Sequence, residues 1–232
     1  MKKIYLFFLI FKLTFSYINI HPTTFDKPID NNGSYQEFTL FNQSSAPILY
    51  RIYSEPDPEN LDRSMHRWMN FYPKTITLKP GEMGKIQLNI ASHSKLEIGE
   101  YSAVLGVREI PIYEEVIKGN GANVSIYTDL KMVLTGYAGN ARPKLKLNDL
   151  KILENGEKVK LHGSVENLGE RRGKFEIYLG NNFLGNIRVM SKEKLKFHDF
   201  DFSFKRKDNE KISNVLIFKD YESKKIIGKI KI

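Results

Sequence analysis

ANVSIYTDLKMVLTGY, residues Ala122–Tyr137, decides how the rest of the chain is read. Val124, Ile126, Thr128, Leu130, Met132 and Leu134 alternate with Ser125, Tyr127, Asp129, Lys131 and Val133. That is the period of two that a pleated strand imposes on its side chains. The stretch exceeds the usual strand of about five or six residues. It runs into GYAGNARP, Gly136–Pro143, where turn formers are concentrated, and β-like sequence resumes beyond it. The reading is a long strand that closes one β-sandwich and leads into another.

Upstream, Ile18–Ile20 followed by His21-Pro22 reads as a first strand that the proline confines to an edge or bend. Asn31-Asn32-Gly33 is a turn, and Phe38 and Leu40 alternate with Glu37, Thr39 and Phe41 in a second strand, Ser34–Asn42. Ile48–Tyr53 is a third. Ser54–Asn60, with two prolines and three acidic residues, reads as an exposed loop, while Leu61–Tyr72, holding the single tryptophan Trp68, fits a short helix or a strand equally. Ile76 and Leu78 enter a Pro80-Gly81 turn whose glycine supplies φ > 0, and Ile86, Leu88 and Ile90 return. Gly99–Val107 is a further strand, and Tyr101 near its start suits a tyrosine corner. The apolar loop Glu109–Gly121 then reaches the long strand; it should lie on the surface and become ordered against a partner.

Downstream, Leu145–Leu153, Val159–Glu166, Lys174–Leu179, Phe183–Val189, Lys194–Phe204, Val215–Asp220 and Ile226–Ile232 read as short strands. Asn155-Gly156, Asn167-Leu168-Gly169 and Gly180-Asn181-Asn182 separate several of them, and no long stretch has helical periodicity. The fold class is all-β: two immunoglobulin-like β-sandwich domains, residues 18–140 and 141–232.

Residues 1–17 form the remaining segment. Met1-Lys2-Lys3 is a basic start, Ile4–Phe11 an apolar run, and polar residues follow from Ser16, the layout of a signal peptide that sends the chain across a membrane. The apolar run is shorter than the roughly 20 residues needed to span a bilayer, and no later stretch is apolar enough, so no membrane insertion is expected after cleavage. The chain has no cysteine, which excludes disulfides, thiol nucleophiles and thiolate metal sites.

The net charge of +9 is unevenly placed. The first 141 residues hold 14 Lys and Arg against 14 Asp and Glu, and the remaining 91 hold 22 against 13. A basic second half can face nucleic acid, an anionic membrane or an acidic protein, or can simply be solvated strand faces. A nucleic-acid reading lacks an evident aromatic series interleaved with the basic residues.

Catalytic patterns are missing from the sequence. The five histidines, His21, His66, His93, His162 and His198, show no metal-binding spacing. There is no Gly-x-Ser-x-Gly, no phosphate-binding glycine loop and no His-Glu-x-x-His. The chain reads as a non-enzyme with no cofactor and no metal. Asn32-Gly33-Ser34, Asn42-Gln43-Ser44 and Asn123-Val124-Ser125 match the glycosylation triplet, which matters only in a eukaryotic secretory pathway.

HPTT (21–24), FTLFNQS (38–44), ITLKPGE (76–82), GEYSAVLGVREIP (99–111) and a strand containing LKM (130–132) follow one another in an order that resembles the first domain of periplasmic pilus-assembly chaperones of the usher pathway. VREIP (107–111) is the best-matching piece. The resemblance covers about Ile18–Pro143; the second domain matches only as a small sandwich with an Asn-x-Gly turn at Asn167–Gly169. It implies two immunoglobulin-like domains set at an angle, residence in the periplasm, a pilus or fimbrial subunit and an outer-membrane usher as partners, and a self-capping dimer when no subunit is bound. No nucleic acid is implied.

The same resemblance implies that the Ala122–Tyr137 strand is lent to a subunit that lacks one, a form of β-augmentation. Val124, Ile126, Leu130 and Met132 would fill the subunit's groove, with Thr128 as a polar interruption; the same row also suits the inner face of this chain's own sandwich. Lys131 matches the family's carboxylate-anchoring lysine. Thr24 stands where the family has an arginine, so Arg108 or Arg142 would substitute or the anchoring differs. The competing reading, of another class, is an exported two-domain adhesin or cell-surface structural module on the same scaffold.

Overall fold

The computed structural model describes residues 18–92, 94–110, 112, 127–206 and 212–232. The signal-peptide reading of residues 1–17, the groove-filling residues Val124 and Ile126, and most of the Glu109–Gly121 loop lie outside the described residues. The chain packs as two compact units. One takes residues up to Lys27 with Asn32–Ala91 and Ser102–Thr135; the other takes Pro28–Asn31, Ser92–Tyr101 and Gly136–Ile232.

The first nine strands are β1 Asn19–His21, β2 Asp26–Pro28, β3 Ser34–Phe41, β4 Ile48–Pro56, β5 Met69–Tyr72, β6 Thr75–Leu78, β7 Met83–Ile90, β8 Gly99–Ile110 and β9 Asp129–Ala138. They form a four-stranded sheet, β1-β3-β7-β5, and a five-stranded sheet, β2-β9-β8-β4-β6. Alternation makes the core of the first unit: Phe38 and Leu40 of β3 and Ile86, Leu88 and Ile90 of β7 meet Tyr50, Ile52, Leu105, Val107 and Leu134, all at most 3 % exposed. Each such side chain contributes about 1.5–3 kcal/mol by leaving water. Gly81 takes φ +75° in the turn from β6 to β7, as its place after Pro80 requires. The Tyr101 hydroxyl donates to the Glu97 carbonyl at 3.0 Å, which is the tyrosine corner.

Three local expectations change. Among the described residues the opening stretch is strand from Asp129 to Ala138, with Tyr127 and Thr128 outside it, and residues 122–126 lie beyond what is described. Ser54–Pro56 are not loop but the end of β4, because Glu55 and Pro56 pair with Val104 and Ala103 of β8, and Asp57 is buried, its Oδ1 accepting the Glu59 N–H. The ambiguous Leu61–Tyr72 segment is both forms in turn: single 3-10 turns at Leu61–Arg63 and His66–Trp68, then β5.

The second unit holds β10 Leu145–Asn155, β11 Lys158–Asn167, β12 Gly173–Leu179, β13 Asn182–Val189, β14 Lys194–Lys196, β15 Ser203–Lys205, β16 Val215–Asp220 and β17 Ile226–Lys231. One sheet has the order β10-β11-β14, with β15 also paired to β11; the other is β13-β12-β16-β17. Phe175, Ile177, Val165, Val189, Leu216 and Phe197 are among its fully buried core. The expected single strand Lys194–Phe204 breaks into β14, a 3-10 turn at Phe197–Asp199, and β15. Phe197 and Phe202 are five residues apart, so a straight strand would point them to opposite faces. The turn lets both enter the core, edge to face at 5.7 Å.

Each unit is fastened by one wholly buried asparagine. Asn42 donates to the Ala46 and Leu78 carbonyls and accepts from the Ser44 N–H. Asn167 donates to the Arg171 and Val189 carbonyls and accepts from the Lys144 and Gly169 N–H groups. Within the second unit Glu100 and Arg172, each at most 7 % exposed, form a buried ion pair, and the Arg172 backbone N–H also donates to Glu100 at 2.8 Å.

Candidate functional site on the outer face of β9

β9 lies between β8 and the short β2. The backbone bonds Thr135 N–H to Phe25 O and Ile29 N–H to Tyr137 O place β2 against the C-terminal end of β9. Asp129–Leu134 therefore has no strand partner on its outer edge among the described residues. Of the expected groove-filling residues, Met132 is 6 % exposed and belongs to the first unit's own core, like its neighbour Leu134, while Thr128 and Leu130 are half-buried.

The opposite parity, Asp129, Lys131 and Val133, faces solvent. Strand pairing sets Tyr53 of β4 opposite Gly106 of β8, and Arg51 opposite Arg108. A Cβ at position 106 would run into the Tyr53 ring, so glycine is what allows that ring to lie flat across β8. The Tyr53 hydroxyl reaches Asp129 Oδ1 at 2.7 Å, and Arg108 Nε and Nη2 grip Oδ2 at 3.0 and 2.6 Å. The Arg108 guanidinium also sits 5.2 Å from the centre of the Tyr53 ring. Lys131 Nζ binds Glu55 Oε1 at 2.6 Å.

The electrostatics follow from these contacts. Partial burial pushes the Asp129 carboxyl up, but the bonds and charges of Arg108 and Tyr53 outweigh it and hold the group below its ordinary value. The bond to Glu55 raises Lys131, and the bond to Asp129 raises Arg108, so both stay cationic. Burial first, and then Asp129, raises the Tyr53 hydroxyl.

Lys131 and Arg108 thus share one face, linked through Asp129 and its strand neighbour. Thr24 lies elsewhere, exposed on the crossover from β1 to β2, and among the described residues it hydrogen-bonds only through its carbonyl, to Gln36 Nε2 at 2.7 Å. Arg142 borders a groove of about 360 Å³ in the second unit, with Leu145, Phe175 and Phe218. Sequence reasoning missed Tyr53, Glu55 and Asp129 as the partners of the basic pair. Alternation placed Tyr53 and Glu55 on one side of their strand and Asp129 and Lys131 on one side of theirs; the pairing that joins them lies 76 residues apart.

No family model and no curated protein matches the chain. Solved structures do, and several are of chaperones, one in complex with a pilin and another described as periplasmic: this chain has their two-domain, all-β fold. It is similar to the Escherichia coli chaperone DraB at 10 % identity and TM-score 0.54, over 93 % of this chain and 96 % of that one. A chain from the complex of the Salmonella enterica SafA pilin with the SafB chaperone matches at 11 % identity and TM-score 0.53, over 93 % and 95 %. The Pseudomonas aeruginosa CupB2 chaperone matches at 11 % and TM-score 0.51, over 92 % and 100 %. At these identities the likeness is one of fold.

Proposed function

We propose that the protein is a periplasmic, non-catalytic chaperone that captures pilus subunits by lending them β9 and its N-terminal extension, and delivers them to an outer-membrane usher. The observation that carries this reading is the open outer edge of β9 from Asp129 to Leu134. A sheet edge offers unpaired N–H and C=O groups to any chain that lacks a strand. A subunit missing its last strand has the complementary defect, an apolar groove with an unpaired edge, and strand addition repairs both at once. In this reading Val124, Ile126, Thr128 and Leu130 enter the groove, and Met132, packed in its own sandwich, marks where the lent segment ends.

Lys131 and Arg108 supply the cations for a subunit carboxylate. Because each already holds an internal carboxylate, Glu55 or Asp129, capture proceeds by exchange: the incoming carboxylate takes one cation as the internal partner turns to water. The exposed setting keeps that exchange cheap, since surface ion pairs contribute little. Thr24 offers at most a neutral hydrogen bond.

The deciding experiment is co-expression with a pilus subunit of the same organism, followed by affinity capture from the periplasm. A one-to-one complex, with the subunit degraded when the chaperone is omitted, supports the reading. Recovery of the chain alone, or its display on the cell surface, overturns it in favour of an adhesin or structural module.

A further inference from the structure

The outer face of β13-β12-β16-β17 in the second unit concentrates positive charge. The inward row of this sheet is Phe175, Ile177, Leu179, Ile187, Leu216 and Phe218. Their alternates Lys174, Arg188, Lys219, Lys229 and Lys231 therefore point outward, and Glu176 is the one carboxylate in that row among the described residues. The β16–β17 turn adds Lys224 and Lys225 against Asp220 and Glu222. Both strand and turn carboxylates are partly spent: Lys224 and the Tyr178 hydroxyl hold Glu176 at 2.6 and 3.1 Å, and Asp220 Oδ1 caps the turn by accepting from Ser223. Lys229 and Lys231 on the edge strand β17 have no ion pair among the described residues.

Aromatic side chains scattered along the sequence converge here. Tyr178 and Phe183 face each other across β12 and β13 with ring centres 5.3 Å apart. Lys219 lies over the Tyr178 ring at 4.2 Å and Lys224 over Tyr221 at 4.4 Å. Apolar side chains stand exposed at two edges of this face: Phe183 on β13 is 49 % exposed, and Ile226 on β17, paired with Lys219, is 50 % exposed.

We propose that this face docks the protein on the surface of an anionic phospholipid bilayer. Cations spread over four strands match a plane of phosphates, and lysine ammonium groups meet phosphate as point charges. The rim residues Phe183 and Ile226 suit the boundary between headgroups and acyl chains, where an apolar side chain gains burial without spanning the bilayer. A single-stranded nucleic acid fits less well. It needs open ring faces for base stacking, and lysines already cover those of Tyr178 and Tyr221.

The test is sedimentation of the full chain with vesicles of phosphatidylcholine mixed with phosphatidylglycerol, against phosphatidylcholine alone. The chain should pellet with the mixed vesicles and stay in solution with neutral ones, and molar salt, which shortens the screening length to about 3 Å, should release it. Lys229→Ala with Lys231→Ala should lower partitioning on the order of thirty-fold, at about fivefold per lysine near an anionic surface. Its melting temperature should not change, because both side chains are exposed. Equal binding to neutral vesicles, no binding to mixed vesicles at low salt, or partitioning unaffected by the double substitution would overturn the proposal. Poly(U) binding as tight as vesicle binding would overturn it in favour of single-stranded nucleic acid.

Discussion

Lys131 Nζ lies 2.6 Å from Glu55 Oε1, a strand lysine held by a carboxylate of its own chain. If exchange of that carboxylate for a subunit's is how capture begins, the two residues should have opposite effects. Lys131→Ala should leave folding intact and lower the periplasmic level of the subunit, whereas Glu55→Gln should free the lysine and raise it. Immunoblots of subunit in the two strains read the difference. Equal subunit levels in Lys131→Ala and wild type remove the anchoring role.

Leu130 and Met132 share a parity on β9 but differ in burial, which separates their tasks. Met132→Ala should destabilise the free protein by about 2–5 kcal/mol through the cavity it leaves. Leu130→Ser, at a half-buried position, should cost about 1 kcal/mol or less and reduce subunit capture. Thermal melts of the free protein and pull-down of the complex check the two halves. A larger melting shift from Leu130→Ser than from Met132→Ala would make Leu130 a core residue.

Tyr50, 2 % exposed, has its hydroxyl pushed up to about 12, first by burial and then by the charge of Glu109. The folded chain keeps this phenol neutral while the unfolded chain ionises it near pH 10. Stability should fall as pH rises through 10 and level off above 12, by roughly 3 kcal/mol in all, at about 1.4 kcal/mol per unit of difference. Urea unfolding between pH 9 and about 12 measures the slope. The Tyr50→Phe protein should show a flatter profile.

Arg172 and Glu100 form a pair with almost no solvent access. Removing one partner strands the other, so Arg172→Ala should destabilise by about 3–5 kcal/mol. Replacing both, with Arg172→Met and Glu100→Leu, should recover much of that loss, because two apolar groups need no partner. A double variant no more stable than the single one would show that the pair's geometry, rather than its stranded charge, matters.

The parts of this fold that could be read from the sequence are those set by neighbours along the chain. Alternation put Leu134 and Met132 on one face, though not whether that face meets a partner or this chain's own core; Pro80-Gly81 announced its turn, and Gly-Glu-Tyr at 99–101 announced the tyrosine corner. Features that depend on two strands meeting were hidden. Ser54–Pro56 looks like loop until β8 pairs with it, and nothing local says that Phe197 and Phe202 must face the same way. The resemblance named Lys131, with Arg108 or Arg142 as a second base, but Glu55 and Asp129 as partners of Lys131 and Arg108 required the meeting of β4, β8 and β9. The same holds for the cation-covered rings of Tyr178 and Tyr221, which lie 43 residues apart along the chain.

The buried asparagine of the first unit bears on how this protein can be made. Asn42-Gln43-Ser44 is an acceptor triplet for N-linked sugar, yet the Asn42 amide has no exposed surface and Ser44 is bonded to it. A eukaryotic secretory host would meet the triplet while the chain is still emerging and unfolded. A glycan attached then could not follow the side chain into its slot between Ala46 and Leu78, so the modified fraction would be trapped short of the native state. Bacterial export avoids that competition, and material secreted from yeast or insect cells should contain native protein only in its unglycosylated fraction at this position.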